Sequence, residues 1–367
     1  MINYNIAIIG CGRVAYHHAE SIRQVEGMNL IAVCDLDLDK VEKFAKKYNV
    51  DAYVNYFQML KECPSIDIVV IATPSGMHFE HAVDIIRRNK HVIVEKPTFM
   101  TPEQLQDAYK LADNMGVNIY PIFQNRHNKA VSRVKRAIDN NELGKINIVS
   151  VRLRWCRPQR YYDLSEWRGT LSHDGGASTN QGIHHIDLLR YLGGEVLRSL
   201  AIMKTYEVDI EAEDSMVAVV EYKSGAIGNL EITTAARPND FEASISIIGS
   251  KGLAQIGGIA VNELQVFTPN PKDCQKFSED FLRVKDHGAV YGYGHTKIYQ
   301  SIYDALLQDN DYEVSSEDAL RTLKLLNSFY SSNEKKKWVS VDSSSSNYLG
   351  KENDEISNLY RTVNNNT

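Results

Sequence analysis

A glycine-rich turn near the start of the chain has the composition of a phosphate-binding loop. From Gly10 the sequence reads GCGRVA, which matches the pattern G-x-G-x-x-A. Gly10 allows a tight turn, and Gly12 lets the backbone approach a pyrophosphate because it carries no Cβ. Free N–H groups at the start of the following helix would bind the phosphates. We therefore predict a dinucleotide site whose contacts from this loop are Gly10, Gly12, Arg13 and Val14.

An acidic residue follows the next apolar run. The run LIAVC ends at Cys34, and Asp35 comes 25 positions after Gly10. In dinucleotide-binding folds a carboxylate at this place accepts hydrogen bonds from the adenosine ribose and repels a 2′-phosphate. No arginine directly follows Asp35, so NAD is the expected cofactor rather than NADP. The structural alternative is a tight strand-to-helix turn in which Asp35 only caps the next helix.

Two further segments carry side chains suited to proton transfer and charge stabilisation. Lys96 lies in EKP, after the apolar run HVIV, and so at the carboxyl end of a predicted strand, where open α/β sheets bind ligands. His184 lies in NQGIHHID, and imidazole titrates near pH ~6.5, so it can accept a hydroxyl proton at neutral pH. Asn180 stands one helical turn before His184 and can face the same ligand.

Each of these residues also has a structural interpretation. Lys96 could be a solvated surface lysine, and His184 a satisfied core histidine, which is the interpretation we favour for His185. A zinc site built from His184, His185 and Asp187 is disfavoured, because adjacent helical side chains point about 100° apart. We therefore expect no metal.

Arginines and aromatic residues are concentrated between residues 152 and 168. Arginine forks suit carboxylates and phosphates, and aromatic faces suit sugar rings and bases. The alternative is a sheet edge with solvated arginines. The block contains Arg152, Arg154, Arg157, Arg160 and Arg168, with Trp155, Tyr161, Tyr162 and Trp167.

The elements that must position these residues fall into two patterns. Apolar strands and amphipathic helices alternate over residues 1–124, which predicts a doubly wound parallel sheet of the Rossmann type. Residues 125–342 read as an α+β domain with an open, largely antiparallel sheet, whose closing helices could pack back on the first domain. Residues 343–367 are polar, and we expect a flexible tail.

Composition narrows the class of protein. Of the 367 residues 43% are apolar and 24% charged, and the net charge is −6, which argues against a general nucleic-acid binder. Five scattered cysteines favour reduced thiols. We see neither a secretory leader nor a membrane-spanning run, and expect a cytoplasmic protein.

Three stretches together resemble the glucose-fructose oxidoreductase, inositol dehydrogenase and rhizopine-catabolism (Gfo/Idh/MocA) family. They are ATPSGMHFEHA at 72–82, EKP at 95–97 and GGASTNQGIHHIDLLRYLGG at 175–194. The resemblance implies that Lys96 holds the reacting oxygen and that His184 is the catalytic base. It further implies a possible cis bond before Pro97. The cofactor contacts it implies are Thr73, Pro74, Glu95 and Lys96.

One branch of this family is most similar, the UDP-N-acetyl-2-amino-2-deoxyglucuronate 3-dehydrogenases of surface-polysaccharide synthesis. By that resemblance His184 and Lys96 converge on the C3 hydroxyl, and Asn180, where relatives carry Asp, orients the sugar or His184. A homodimer or homotetramer is implied. Competing hypotheses are a dehydrogenase of a free sugar, inositol or sugar phosphate, an NAD-dependent glycosidase, and a non-catalytic regulator. The residues expected to bind the sugar are Arg157, Tyr161, Trp167, Asn180, His184 and His295, the last with a buried helix-start position as an equal alternative.

Overall fold

The computed structural model describes residues 2–280, 294–308 and 310–362. The chain forms two compact units. The first comprises Met1–Ile122, His295–Ala319 and Glu352–Thr367, and the second Phe123–Gly294 and Leu320–Lys351. In the described part of the chain, no helix has both the length and the apolar character needed to cross a membrane.

The amino-terminal part alternates strands and helices, as predicted. In chain order the elements are β1 Tyr4–Ile9, α1 Arg13–Gln24, β2 Met28–Cys34, α2 Leu38–Tyr48, β3 Asp51–Tyr53, α3 Tyr56–Glu62, β4 Ile68–Ile71, a 3-10 turn Ser75–Met77, α4 His78–Ile86, β5 His91–Val94, α5 Pro102–Met115 and β6 Ile119–Pro121.

The rest of the chain is richer in long strands. In chain order the elements are a 3-10 turn Gln124–His127, α6 Lys129–Asp139, β7 Ile146–Arg154, α7 Gln159–Tyr162, α8 Gly176–Asn180, α9 Ile183–Gly193, β8 Val196–Lys204, β9 Ser215–Tyr222, β10 Ile227–Thr233, β11 Glu242–Gly249, β12 Leu253–Gly257, β13 Glu263–Phe267, α10 Asp273–Lys276, α11 Gly294–Gln308, α12 Ser316–Lys335, β14 Val339–Ser340 and α13 Asp354–Asn358.

The first unit contains a six-stranded parallel sheet in the order β3-β2-β1-β4-β5-β6. All four residues of β4 are buried, as expected for a parallel sheet covered on both faces. The strand order reverses direction at β1, between β2 and β4. Open α/β sheets bind ligands at this switch point, so the Gly10 turn at the end of β1 lies where a dinucleotide site is expected.

The second unit contains an eight-stranded sheet in the order β13-β12-β11-β7-β10-β9-β8-β14. Its neighbouring strands are antiparallel except for β7 and β10, which are parallel. Burial alternates along β9, where Ala218 and Val220 are covered while Val217 and Val219 are exposed. One face of this sheet is therefore buried, which confirms the predicted α+β domain with a largely antiparallel sheet.

Several elements were not expected from the sequence. Helix α3 has only seven residues, too few for a visible period, although its cap is local: the Asn55 side chain accepts hydrogen bonds from the N–H groups of Phe57 and Gln58. Strand β12 and helix α6 were also missed. In contrast, helix α5 begins at a strong local signal, Thr101 followed by Pro102, with a complete capping box that includes Gln104.

The polar tail makes defined contacts where the structure describes it. The Leu349 side chain is buried, and the Gly350 N–H donates to the Leu171 carbonyl at 2.9 Å. Helix α13 follows within the first unit. The expected flexibility of this tail stays a prediction, and its last five residues, 363–367, lie outside the described residues.

Candidate active site

The glycine turn after β1 has the backbone that its sequence predicts. Gly10 has φ +93°, and a Cβ there would lie 2.5 Å from the carbonyl oxygen of Ala72, so no other residue fits without movement. A Cβ on Gly12 would meet no protein atom within 4 Å, so the space in front of this residue, the N-cap of α1, is open. Arg13 is exposed and Val14 half-buried. These features fit the approach of a pyrophosphate.

Asp35 connects this turn to the end of β2. Its Oδ2 accepts a hydrogen bond from the Cys11 N–H at 2.7 Å, and its Oδ1 accepts one from the Asp37 N–H at 3.0 Å. Each carboxylate oxygen has a second lone pair, so capacity for ribose hydroxyls remains. The helix cap of α2 is Asp37, whose side chain accepts from the Lys40 N–H. The alternative interpretation of Asp35 as that cap is therefore wrong.

The turns after β4 and β5 are joined by a histidine. The peptide bond between Lys96 and Pro97 is cis, as the resemblance implied. His78 is buried and places Nδ1 2.9 Å from the Pro97 carbonyl oxygen and Nε2 3.0 Å from that of Thr73. It is thus structural, and it links the segment of Thr73 and Pro74 to that of Lys96.

Glu95 lies in a buried cluster that the sequence did not reveal. Its Oε1 lies 3.0 Å from Nε2 of His18 and 3.3 Å from Nε2 of His295, and its Oε2 accepts the Lys96 N–H at 3.0 Å. Burial alone would raise the pKa of Glu95, but the two imidazoles hold it well below its usual value. Burial lowers the pKa of His18, whose Nδ1 lies 2.8 Å from the hydroxyl of Tyr299.

This cluster bears on two predicted site residues. Glu95 was assigned to the cofactor, and the structure shows its carboxylate already contacting two imidazoles and one backbone N–H. His295 is 2% exposed in the first turn of α11, which is the buried helix-start arrangement named as its alternative. The roles of both residues toward cofactor and sugar stay predictions. Among the described residues, His18, Glu95 and His295 are also the one group of three potential metal ligands within 4.8 Å.

The second unit carries the other predicted residues. His184 is the second residue of α9, and Asn180 ends α8 one turn earlier; both side chains are buried. The Asn180 side chain donates to Oδ1 of Asp174, whose Oδ2 accepts the Gly169 N–H at 2.8 Å. The predicted convergence of His184 with Lys96 of the first unit stays a prediction.

Two neighbours of His184 in α9, His185 and Asp187, are buried in contacts with other parts of the second unit. His185 is buried with its ring edge-on to Trp155, and burial lowers its pKa to about 4. Asp187 accepts two hydrogen bonds from Arg126, with Nε at 2.7 Å, and a third from the Thr322 hydroxyl at 2.9 Å. A carboxylate with these partners is part of a buried ion pair.

The arginine–aromatic block divides into two parts, and the first is structural. Arg154 on β7 pairs with Glu231 at 2.6 Å and with Glu242 at 3.0 Å, and Arg152 lies 3.9 Å from Glu242. These arginines balance carboxylates on the neighbouring strands. This part of the block is therefore structural, but the alternative of a sheet edge with solvated arginines is wrong in detail, because β7 lies inside the sheet and Arg154 is ion-paired.

The second part forms a cluster beside α8. Tyr161 accepts hydrogen bonds from Arg168 at 2.6 Å and from the Gln181 side chain at 3.1 Å. The Arg168 guanidinium also lies 4.6 Å from the Trp167 ring centroid. Arg157 lies 5.7 Å from the Tyr161 ring and pairs with Asp240 at 2.8 Å. Since Gln181 follows Asn180 directly, this arginine–aromatic cluster adjoins the helix pair that carries His184.

A run of buried polar residues at the start of the second unit was not predicted. It directly follows β6 in the sequence, and polar residues just after a strand are a pattern of ligand sites that could have drawn attention to the run. Arg126 within it makes the ion pair with Asp187. The buried members are Gln124, Asn125, Arg126 and Asn128.

Comparison with known proteins covers both units. A family model described as "Oxidoreductase family, NAD-binding Rossmann fold" matches residues 4–123. A second model, "Oxidoreductase family, C-terminal alpha/beta domain", matches residues 135–341. Together the two matches span most of the chain.

Similar proteins of known structure or activity include sugar and inositol dehydrogenases. The WlbA dehydrogenase from Bordetella pertussis, solved with NADH and UDP-GlcNAcA, is 32% identical, with a TM-score of 0.85 over 92% of this chain and 98% of its own. The WlbA enzyme from Chromobacterium violaceum, solved with the same two ligands, is 32% identical, with a TM-score of 0.83 over 93% of this chain and 96% of its own. The myo-inositol 2-dehydrogenase of Thermotoga maritima is 24% identical over 81% of this chain and 84% of its own.

Proposed function

This chain belongs to the Gfo/Idh/MocA family of NAD-dependent sugar oxidoreductases, and from that premise we propose that it oxidises C3 of a UDP-N-acetylglucosaminuronate-type nucleotide sugar to a 3-keto sugar. The observation that carries the substrate proposal is the arginine–aromatic cluster of Arg157, Tyr161, Trp167 and Arg168, hydrogen-bonded to Gln181 beside Asn180. The two WlbA enzymes, solved with UDP-GlcNAcA, support it at 32% identity.

The residues that would hold NAD all lie in the first unit. The open approach to Gly12 and the N–H groups at the start of α1 suit the pyrophosphate, and Asp35 suits the adenosine ribose. When bound, NAD supplies the hydride acceptor. The segment around Thr73 and Pro74, fixed by His78, completes the set of proposed contacts.

Two side chains perform the proposed proton chemistry. His184 takes the proton from the sugar hydroxyl, since a neutral imidazole is a competent base near pH 7. The Lys96 ammonium stabilises the negative charge that develops on the same oxygen. The Lys96 backbone is fixed on both sides, by the hydrogen bond from its N–H to Glu95 and by the contact of His78 with Pro97. Asn180 orients the sugar, because an amide can donate and accept hydrogen bonds but is not a useful base.

The charge and shape of the arginine–aromatic cluster match the proposed substrate. A UDP-glucuronate sugar carries a carboxylate and a diphosphate, which suit the Arg168 guanidinium, bonded to the neutral Tyr161 hydroxyl, and that of Arg157, which would share its charge with Asp240. The rings of Tyr161 and Trp167 offer faces for a sugar or a uracil. Tyr161 is held by two donors, so it presents a defined surface rather than a mobile one.

A second candidate, favoured by the similarity to the Thermotoga enzyme, is oxidation of an inositol or another sugar that lacks a nucleotide. One assay separates the two. The purified protein is incubated with NAD and UDP-GlcNAcA, UDP-GlcNAc, glucose 6-phosphate, glucose or myo-inositol, with and without 2-oxoglutarate, and NADH absorbance and keto-sugar formation are followed. We expect turnover with UDP-GlcNAcA. Turnover with myo-inositol alone would overturn the nucleotide-sugar assignment.

Variants test the proposed residues. We expect Lys96→Ala and His184→Ala to lower kcat by about 10²-fold or more while NADH binding changes little. Arg157→Ala and Arg168→Ala should instead raise KM for the nucleotide sugar, with Arg198→Ala as the control, because Arg198 pairs with Glu221 on two exposed strand positions. Unchanged KM in both cluster variants would contradict the proposed substrate site.

The exposed side of the second sheet supports association with a second copy. Ile202, Val217 and Ile227 are 62%, 59% and 54% exposed on neighbouring strands. Ile202 and Val217 stand directly opposite each other on β8 and β9, and exposed apolar pairs of this kind favour an interface. We propose a homodimer or homotetramer formed through this face, which light scattering of the wild-type protein and of Val217→Glu would test. A wild-type monomer would contradict it.

A further inference from the structure

Helix α8, which carries Asn180 at its end, begins directly on a buried residue, Glu213. The Ala177 N–H donates to the backbone carbonyl of Glu213, and the Ser178 N–H donates to Oε1 of its side chain, each at 2.9 Å. A Cβ on Gly176 would lie 2.6 Å from the same carbonyl oxygen, so the two backbones are in close contact. The first N–H groups of a helix need such partners, because they have none within the helix. Glu213 therefore fixes the start of α8.

The hydroxyl of Tyr330 on α12 joins the Glu213 carboxyl group to the residue before α8. Its oxygen lies 2.9 Å from Oε1 and 3.1 Å from Oε2 of Glu213, and it donates to the backbone carbonyl of Gly175. The Thr179 hydroxyl lies 2.9 Å from the Tyr330 hydroxyl oxygen. All four residues belong to the second unit, and the side chains of Glu213, Tyr330 and Thr179 are buried. Polar atoms removed from water in this way depend on one another for hydrogen bonds.

The number of protons in this cluster decides which hydrogen bonds it can form. A hydroxyl has one proton, so Tyr330 cannot donate at once to Gly175 and to an ionised Glu213. When Glu213 is protonated, it donates from Oε2 to Tyr330, Tyr330 donates to the Gly175 carbonyl, and Oε1 accepts the Ser178 N–H. When Glu213 is ionised, its charge attracts the Tyr330 proton more strongly, and the Gly175 carbonyl loses this donor. Burial favours the first arrangement, because it raises the pKa of Glu213 from 4.5 to about 7.

The chain segment before β9 also holds the loop that leads to α8. The Ala212 N–H donates to the carbonyl oxygen of Gly169 at 2.8 Å, and Gly169 directly follows Arg168 of the arginine–aromatic cluster. The Gly169 N–H in turn donates to Asp174, the carboxylate that accepts from the Asn180 side chain. A change in the contacts of this segment therefore reaches two residues that we assign to the sugar.

Other ionisable groups face this cluster from the neighbouring elements. Asp174 lies before α8, and Asp214 lies before β9, where its Oδ2 accepts two backbone N–H groups at 2.9 Å each. Burial and the charges of Glu213 and Asp174 raise the pKa of Tyr330 well above its usual value, so its hydroxyl keeps its proton at neutral pH. A change of this cluster near pH 7 is therefore assigned to Glu213 rather than to Tyr330.

We propose that Glu213 and Tyr330 are positioning residues for the sugar site, and that the proton between them holds the start of α8 and with it Asn180. The proposal rests on the proposed function, in which Asn180 orients the sugar. While Glu213 is protonated, the hydrogen bonds from Glu213 through Tyr330 to Gly175 are complete, and Asn180 is held for the substrate. Loss of the proton breaks the link to Gly175, so the affinity for the sugar falls as the pH rises above 7.

Two conservative variants of the full chain test the proposal. Glu213→Gln donates to Tyr330 through its amide at every pH, and Tyr330→Phe removes the hydroxyl while it keeps the ring. KM and kcat for UDP-GlcNAcA are measured at saturating NAD between about pH 6 and pH 8.5. We expect the wild-type KM to rise about fivefold above pH 7, the effect of about one hydrogen bond, and the KM of Glu213→Gln to stay constant. Tyr330→Phe should have the raised KM at every pH.

The same measurement includes a matched control and a second constant. Glu211→Gln removes an exposed carboxylate two positions before Glu213 and should keep the wild-type pH profile of KM. The dependence of kcat on pH should be the same in the wild type and in Glu213→Gln, because the proposed base is His184.

Hydrogen exchange of the peptide 172–183 reports on α8 without any substrate. Each variant is compared with the wild type at the same pH, so the intrinsic effect of pH on exchange cancels. We expect Tyr330→Phe to exchange faster than the wild type at about pH 6, and Glu213→Gln to exchange more slowly than the wild type at about pH 8.5. Equal exchange in all three proteins at both pH values would overturn the proposed link to α8.

The two measurements separate this proposal from the proposed function. If UDP-GlcNAcA is oxidised with the same KM by the wild type and both variants at every pH, the positioning role is overturned while the proposed function stands. A wild type that oxidises no nucleotide sugar would overturn the proposed function and the positioning role with it, and the exchange data would still decide whether Glu213 and Tyr330 hold α8.

Discussion

The Asn180 side chain donates a hydrogen bond to the carboxylate of Asp174, and both side chains are buried. The family pattern that this sequence resembles has an aspartate at position 180. In this chain the carboxylate stands at 174 instead, where the Gly169 N–H supports it. The carboxylate therefore lies six positions before residue 180, just ahead of α8, and contacts the amide that occupies the family position.

Asn180→Asp should place two carboxylates in contact. Like charges in a buried site raise the pKa of one of them, so the pair would hold a proton near neutral pH and lose stability as the pH rises. We expect the free energy of unfolding to fall by about 2–4 kcal/mol at pH 8, and by less at pH 5. Urea denaturation at the two pH values measures this.

The swap of both residues is the control for that experiment. In the double variant Asp174→Asn with Asn180→Asp, one amide again faces one carboxylate, so most of the lost stability should return. Equal losses of unfolding free energy in the single and double variants would show that repulsion between two carboxylates does not cause the loss.

Most of the fold could be predicted because its signals are local. The Gly10 turn and the Asp35 position each lie within a few consecutive residues, and each is found where the sequence placed it. Helix α3 was missed because seven residues carry little periodicity. Two-residue β14 exists only because it pairs with β8.

The candidate site could be predicted only in part, since its contacts join distant residues. Glu95 meets His18 and His295, which are 77 and 200 positions away. Likewise, the sequence could not separate Arg154 from Arg157 within one block. The register of the sheet determines that Arg154 forms a structural ion pair, because Arg154 on β7 stands directly opposite Glu242 on β11.

The buried ion pair between Arg126 and Asp187 should be the most sensitive point of the second unit. Arg126→Met leaves the Asp187 carboxylate with the Thr322 hydroxyl but without its countercharge. We expect this variant to lose about 3–5 kcal/mol of unfolding free energy. The double variant with Asp187→Leu should lose less than the single one, as denaturant titration would show; a larger loss would contradict the charge argument.

Variants of His78 can test the roles of the two turns that it joins independently of each other. His78→Asn keeps a donor near the position of Nδ1, which contacts Pro97, and His78→Gln keeps one near Nε2, which contacts Thr73. His78→Asn loses the contact with Thr73, so we expect it mainly to raise KM for NAD, by about tenfold. His78→Gln loses the contact with Pro97 beside Lys96, so we expect it mainly to lower kcat, by about tenfold. His81→Ala, which removes another buried imidazole from the same helix, is the control for the loss of a buried ring. Identical effects of both His78 variants on both constants would rule out separate roles for the two contacts.

Glu213 should make the stability of the second unit depend on pH. It is buried, and burial raises its pKa from 4.5 to about 7, although the Ser178 N–H and the Tyr330 hydroxyl donate to it. The folded protein thus binds a proton that the unfolded chain releases above pH 4.5, so the stability from this group is complete below that pH and is lost as the pH rises toward 7. Glu213→Gln mimics the protonated form and should remove this dependence. Between pH 4.5 and 8 we expect the unfolding free energy of the wild type to fall by about 3 kcal/mol more than that of the variant. Parallel curves for the two proteins would show that Glu213 is ionised in the fold at every pH tested.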